Sequence, residues 1–273
     1  MKQLVLGAAL SALLVFGALL SLVWVPYDVT IFDINGRFQP PSMAHWLGTD
    51  QFGRDVLSML MEGAQTALSV SLLAVGIGMA CGVPLGLVAA AKGGWLEQAV
   101  MRGNDVLFAF PAILLAVLIT AVAGPGAVNA IIAVGVFNIP VFAQLTRGGA
   151  RSVWARDFVR AARTLGKGPL RISIDHILPN LMSVLIVQAT IQVSLAIAAE
   201  AALSYIGLGA QPPTASWGRM LSEAQTLFGY SPWVMVFPGL AIALSVLGLT
   251  LLGDGLRDRL DPRQERIKPV GLG

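Results

Sequence analysis

Arg147–Asn180 reads RGGARSVWARDFVRAARTLGKGPLRISIDHILPN. This interval is basic and full of helix and turn signals, yet apolar runs of membrane-spanning length flank it on both sides. A chain this apolar that keeps so large an ordered-looking interval out of the bilayer points to something docking there. Asp157 is placed to cap a helix running to Leu165. Phe158, Ala161, Ala162 and Leu165 then fall at i, i+3, i+4 and i+7, on one face. Arg156, Arg160, Arg163 and Lys167 form a basic stripe beside it. Gly166 is a stop signal, Lys167-Gly168-Pro169 a turn, and Pro169 suits the first position of a second helix through Arg171 and Ile174 to Ile177. Pro179 marks entry to the next apolar run. Two readings stay open on these residues alone. The apolar face suits a groove on another protein, with the basic flank meeting acidic groups or lipid phosphates. Alternatively, the interval is a solvated basic loop.

Outward from this interval, the 273 residues are 56% hydrophobic and 12% charged. Soluble domains carry about twice that charge fraction, so an all-α integral membrane protein is expected. Six apolar segments read as spans: Leu4–Trp24, Ala67–Ala90, Val106–Ala123, Ala130–Leu145, Leu181–Leu203 and Val234–Leu252. Each approaches the roughly 20 residues that cross a hydrocarbon core. With the N-terminus cytosolic, 15 basic residues fall inside and only Arg37, Arg54 and Arg219 outside. The positive-inside rule then places both termini in the cytosol. The first run is long for a signal peptide and lacks a small-x-small site before Pro26, so it is expected to stay as a span. The chain divides into a first helix plus outer loop (1–66), a core (67–253) and a cytosolic tail (254–273).

Local signals add detail. In the outer loop, Gly48-Thr49-Asp50-Gln51-Phe52-Gly53-Arg54-Asp55 reads as a turn followed by an Asp55 cap on a helix from Val56. Ala74, Gly78, Gly82, Gly86 and Ala90 repeat every four residues and form a smooth face for close helix approach, with Pro84 expected to kink the span. Lys92–Asp105 reads as a short cytosolic loop, Pro111 lies near the start of the third span, and Gly124-Pro125-Gly126 closes a hairpin outside. Trp217, Met220, Leu221 and Leu227 suggest a short amphipathic helix at the outer interface. Glu200 is the one clear acid deep in a span, a candidate for the transport path or for holding the outer loop by hydrogen bonds.

Several chemistries are disfavoured. No G-x-x-x-x-G-K-[ST] loop occurs, since Gly166-Lys167-Gly168 is not followed by Ser or Thr. Neither H-E-x-x-H nor G-x-S-x-G occurs, and the two histidines, His45 and His176, are expected on opposite sides. The single cysteine, Cys81, rules out an internal disulfide. A voltage sensor built on Arg156, Arg160, Arg163, Lys167 and Arg171 is interrupted by Asp157, Gly166, Gly168 and Pro169. A proton-driven carrier using Glu200 would usually show internal repeats, and none is seen.

Four stretches together resemble the permease subunits of bacterial ATP-binding-cassette importers, specifically the second permease of the dipeptide, oligopeptide and nickel class. They are His45–Asp55; Ala161-Ala162 through Gly166 to His176-Ile177-Leu178-Pro179-Asn180; Glu200–Gly209 with Gln211-Pro212-Pro213 and Trp217-Gly218; and Leu252–Asp258 with Leu260-Asp261-Pro262-Arg263. The resemblance implies a six-helix type I importer fold in the bacterial inner membrane. The second stretch is similar to the family's EAA loop, which binds the ATPase. It implies coupling roles for Asp157, Phe158, Arg160, Ala161, Ala162, Leu165, Gly166, Pro169, His176 and Pro179. The family usually has glutamate where this chain has Arg160, which suggests a reversed contact with an acidic residue on a matched ATPase. Gly48, Thr49, Asp50, Gly53, Arg54 and Asp55 match the outer-loop opening, and Glu200, Ser204 and Gln211 are candidates for the path or outer gate. Implied partners are a second homologous permease, two ATPases, an extracytoplasmic binding protein and membrane lipid, with no nucleic acid. ATP and Mg would sit in the ATPases, leaving this chain non-catalytic, with no cofactor or metal of its own. The implied cargo is di- or oligopeptides, with nickel or metal chelates, glutathione and other peptide-like solutes open.

Overall fold

The computed structural model describes residues 2–227 and 229–260. The Asp261-Pro262-Arg263 motif and most of the expected tail lie outside them. Among the described residues ten helices run in chain order: α1 (Lys2–Leu20), α2 (Val56–Lys92), α3 (Gly94–Phe108), α4 (Ala112–Ala123), α5 (Ala127–Trp154), α6 (Asp157–Thr164), α7 (Pro169–Ile172), α8 (Leu178–Tyr205), α9 (Trp217–Ala224) and α10 (Pro232–Leu260). A short 3₁₀ turn at Ile34–Gly36 and a π turn at Ser173–Ile177 complete the set.

The 37-residue α2 is the hub, against which α5 and α8 both pack. Asp55 starts it as expected, accepting a 2.8 Å hydrogen bond from the Ser58 amide. The helix begins eleven residues before the expected span, so the division at residue 66 falls inside it, as the division at 253 falls inside α10. Pro84 and Pro140 lie within α2 and α5 without ending them. The small-residue face meets α5 directly. A Cβ on Gly86 would stand 2.5 Å from the Ala143 carbonyl oxygen, and one on Gly82 2.9 Å from Phe142 Cβ. Without hydrophobic force between helices inside lipid, such close approach supplies the attraction. A second seam joins α1 to α10, where Gly248 faces Leu10 and Gly255 faces Leu4.

The third span is broken. The structure replaces the single helix expected over Val106–Ala123 with α3 and α4, bent by 85°. Pro111 is the cause. It lacks an amide hydrogen and disfavours helical backbone at Phe110 before it, so α3 closes at Phe108 and α4 restarts after Pro111. The interval Lys92–Asp105 is thus largely helix rather than loop. Its Glu97 carboxylate is bound by Arg147 and by Arg151 at 3.1 Å. Those arginines belong to α5, which runs nine residues beyond the expected Leu145 end. Among the described residues five helices are therefore long and apolar enough to span, and the bent pair, counted as one span, brings the number to six.

Pro179 does not break the chain either. From Pro169 to Tyr205 the backbone is one 37-residue helical run. Pro179 has no amide hydrogen to give the Asp175 carbonyl, and its ring crowds that carbonyl. The π turn just before it, with the Leu178 amide reaching back to Ser173 O, absorbs the mismatch.

Candidate functional site

The interval after α5 folds as helix, glycine turn, helix. Arg156 holds the cap position of α6 and makes no side-chain cap bond. Asp157, expected to cap, instead lies in the first turn, where its charge complements the helix N-terminus. The end of α6 is a Schellman motif. Gly166, at φ +80°, donates to Arg163 O at 2.9 Å, and Lys167 donates to Ala162 O at 3.2 Å. A β-carbon at Gly166 would be strained in that conformation. Pro169 takes the first position of α7, as expected.

Burial corrects the expected apolar face. Val159 and Ala162 turn inward and are buried. Phe158, Ala161 and Leu165 face out, so Ala162 leaves the exposed set. Leu165 is 81% exposed and Leu170 71%, and exposed Ile174 extends the patch onto the second helix. The two arms are tied at their base. His176 packs edge-on to Phe158 with centroids 6.2 Å apart, and Lys167 Nζ lies 3.3 Å from Asp175 Oδ2 and 3.2 Å from His176 Nε2. The Arg163 guanidinium stacks 4.7 Å from the Trp154 ring. Arg160 is exposed, donating to the Ala155 carbonyl at 3.4 Å and approaching exposed Asp157 at 3.5 Å. Pro179 is exposed within the helical run.

Midway along the bundle, two amides meet. Gln192 Nε2 of α8 donates to Asn138 Oδ1 of α5 at 2.7 Å, and Asn138 Nδ2 donates to Val134 O. Both residues are buried, with Asn138 against Gly78 of α2. Sequence reasoning missed this pair. The signal was there: amides within apolar spans bond across helices because lipid offers them nothing.

The end of the bundle where residues 33–55 meet α9 and α10 is a knot of buried and half-buried polar groups. Asp50 accepts from the amides of Phe52 and Arg54 and pairs with the Arg54 guanidinium at 2.6 Å. Arg54 also reaches Glu223 of α9 at 2.9 Å, and Arg219 holds the other oxygen of Glu223 at 2.7 Å. Thr49 Oγ1 donates to Gly36 O, and the Thr49 carbonyl accepts from Trp233 Nε1 of α10 at 3.2 Å. Gly48 and Gly53 both have φ near +77°, and Gly53 backs directly onto the Asp33 carbonyl. Asp55 meets His45 Nδ1 at 2.9 Å besides capping α2. This run is therefore more than a turn and a cap, since it fastens the outer loop to α9 and α10. Glu223 and Trp233 were not singled out from sequence because their partners lie far away along the chain.

Glu200 is 1% exposed on α8. Its Oε1 accepts from Ser204 at 2.7 Å and from Ser216 at 2.9 Å, while Ser204 Oγ accepts from the Ala210 amide. Gln211 donates to the Gly207 and Gly209 carbonyls, closing its own turn. Trp217 bonds Leu60 O at 2.9 Å. The amphipathic α9 thus buries Trp217, Met220 and Ala224 against protein rather than lying free at the interface. Glu200→Gln keeps an acceptor oxygen for both serines, so the purified chain is expected to melt within about 1 kcal/mol of the original. Glu200→Leu strands both hydroxyls and is expected to cost about 1–3 kcal/mol. Equal melting of the two variants would remove the loop-anchoring role. Among the described residues, no cluster of three or more His, Cys, Asp or Glu could hold a metal ion.

Residues 82–266 match the family of binding-protein-dependent transport system inner membrane components. The chain belongs to this family. It is 45% identical over 264 residues to the glutathione transport system permease protein GsiD of Escherichia coli O6:K15:H31, covering 96% of this chain and 87% of that one. The GsiD protein of Shigella boydii serotype 4 matches to the same extent. In fold it is similar to the MetNI methionine ABC transporter in an inward-facing conformation. That match has a TM-score of 0.61 at 20% identity, covering 73% of this chain and 95% of that chain. The permease is thus a multi-pass inner-membrane subunit of an ATP-driven importer, working with an ATPase and a substrate-binding protein.

Proposed function

We propose that this permease pairs with a second, homologous permease to form the path by which glutathione or a related peptide-like solute enters the cell. Two ATPases, holding ATP and Mg, drive it, and both termini lie in the cytosol. The observation that carries the cargo reading is the 45% identity over 96% of the chain to permeases of glutathione systems. The coupling reading rests on the exposed face of Phe158, Leu165, Leu170 and Ile174 beside basic side chains, because solvent-exposed apolar residues grouped on a short helix pair call for a partner groove. ATP closes the ATPase pair and moves α6. The ties from His176 and Lys167 then pass that movement to α8, whose far end carries the outer loop. ATP must favour one conformer over the other for this cycle to run.

The test is affinity purification through a tag after Gly273, followed by uptake in proteoliposomes holding the recovered subunits and the binding protein. Co-purification of ATPase and a second permease is expected, with uptake of labelled glutathione that needs ATP and survives collapse of the proton gradient. Uptake by this chain alone on a proton gradient would overturn the importer reading, and competition by dipeptides but not glutathione would move the cargo. Arg160 pairs with an acid on the matched ATPase in this scheme. Arg160→Glu is therefore expected to slow coupled transport, and unchanged ATPase binding and uptake would end that part of it.

A further inference from the structure

Near the cytosolic ends of α5, α8 and α10 lies a cavity of about 840 Å³ that none of the roles above uses. Arg156, just past the end of α5, and Arg257, near the end of α10, both line it. Both are exposed, and among the described residues neither makes an ion pair. Most other arginines described nearby are satisfied: Arg147 and Arg151 by Glu97, Arg171 by Asp175. Ser152, Asn180 and Ser183 add uncharged polar groups to the wall. Along α8 the lining then runs from Asn180 through Val184, Val187 and Gln188 to Ile191, mostly apolar beyond Ser183. Eleven residues of helix extend about 16 Å, so the cavity reaches from a basic end well into the apolar layer.

We propose that this cavity is a binding site for one anionic phospholipid of the inner leaflet. Its phosphate sits between Arg156 and Arg257, and an acyl chain lies along Val184, Val187 and Ile191. Two guanidiniums with no ion pair among the described residues suit a phosphate, which they hold by charge-assisted, often bidentate hydrogen bonds. Basic pockets between spans at the cytosolic surface are where anionic headgroups are recognised. The apolar depth is the feature that selects a lipid over a soluble anion, because a small anion would use only the basic end and leave the rest unfilled.

The probe is dioleoyl phosphatidylglycerol, and the sample is the full chain with its co-purifying subunits, delipidated in detergent. Native mass spectrometry is expected to show at least tenfold tighter retention of one phosphatidylglycerol than of dioleoyl phosphatidylethanolamine. Arg156→Gln with Arg257→Gln is expected to erase that preference. Should the paired variant fail to assemble, Val184→Trp, which fills the acyl channel but leaves both arginines, is expected to weaken phosphatidylglycerol retention by a similar factor. Equal retention of the two lipids by the original chain overturns the proposal. So does full displacement of the bound lipid by millimolar inorganic phosphate, which would assign the basic end to a soluble anion.

Discussion

Leu165→Asp combined with Leu170→Asp is expected to leave the permease folded and strip it of its ATPase. Both side chains are mostly exposed, at 81% and 71%, so the isolated chain should lose no more than about 0.5 kcal/mol in stability. In an assembled importer the same positions would meet a groove, and a carboxylate there would be desolvated without a partner. Residues at the centre of such contacts typically cost about 2 kcal/mol or more each when lost. The pair together predicts about a thousandfold weaker ATPase binding, and ATP-driven uptake near background. Quantitative pull-down with a melting curve on the same sample checks both halves. Retained ATPase and normal uptake would remove this face from the coupling interface. Val159→Asp is the informative contrast. Val159 is fully buried on the inner side of α6, so that change should unfold the α6 arm rather than only release a partner.

Gly82→Leu carries the other large effect. Any β-carbon there overlaps the Ile139 carbonyl and crowds Phe142, so a branched side chain can fit only if α2 and α5 separate. Overpacking of a filled core costs about 1–3 kcal/mol and sometimes more. Here backbone is on the opposing side and cannot change rotamer, so about 3 kcal/mol or more is expected. That would lower the melting temperature by about 6–12 °C, with loss of monodisperse protein in detergent. Gly76→Leu is the control, since nothing lies within 4 Å of its β-position. It changes helix propensity and apolarity equally while touching no neighbour. If the two variants melt together, the close approach of α2 and α5 is not what holds the bundle.

The spans were largely legible because hydropathy depends on local composition alone. The Gly78–Gly86 face was legible for a similar reason: its spacing repeats with the helix. What sequence could not give was set by partners distant along the chain. Arg54 meets Glu223, and Trp233 meets Thr49, across more than 160 residues in each case. The inward turn of Ala162 depends on which side of α6 the remaining helices occupy, and periodicity fixes a face without saying what lies behind it. The bend before α4 was hidden by hydropathy, which averages over Pro111 and reads Val106–Ala123 as uninterrupted. Of the site, the glycine stop at Gly166, the start at Pro169 and the Asp55 cap were readable because caps are local chemistry. The Asn138–Gln192 pair could have been read and was not.

The bend also leaves α4 shorter than a hydrocarbon layer is thick. Twelve residues make a rod of about 18 Å, against a hydrocarbon layer of about 30 Å. Its C-terminal end is fastened, because the Gly126 amide bonds the Leu208 carbonyl. The shortfall therefore falls at the opposite end, where Ala109–Pro111 turns the chain aside. A shortfall of that size is hydrophobic mismatch confined to one flank of the protein. The bilayer must thin beside α4, or another protein wall must stand there. Where lipid meets α4, membrane thickness thus becomes a variable to which this flank is directly exposed.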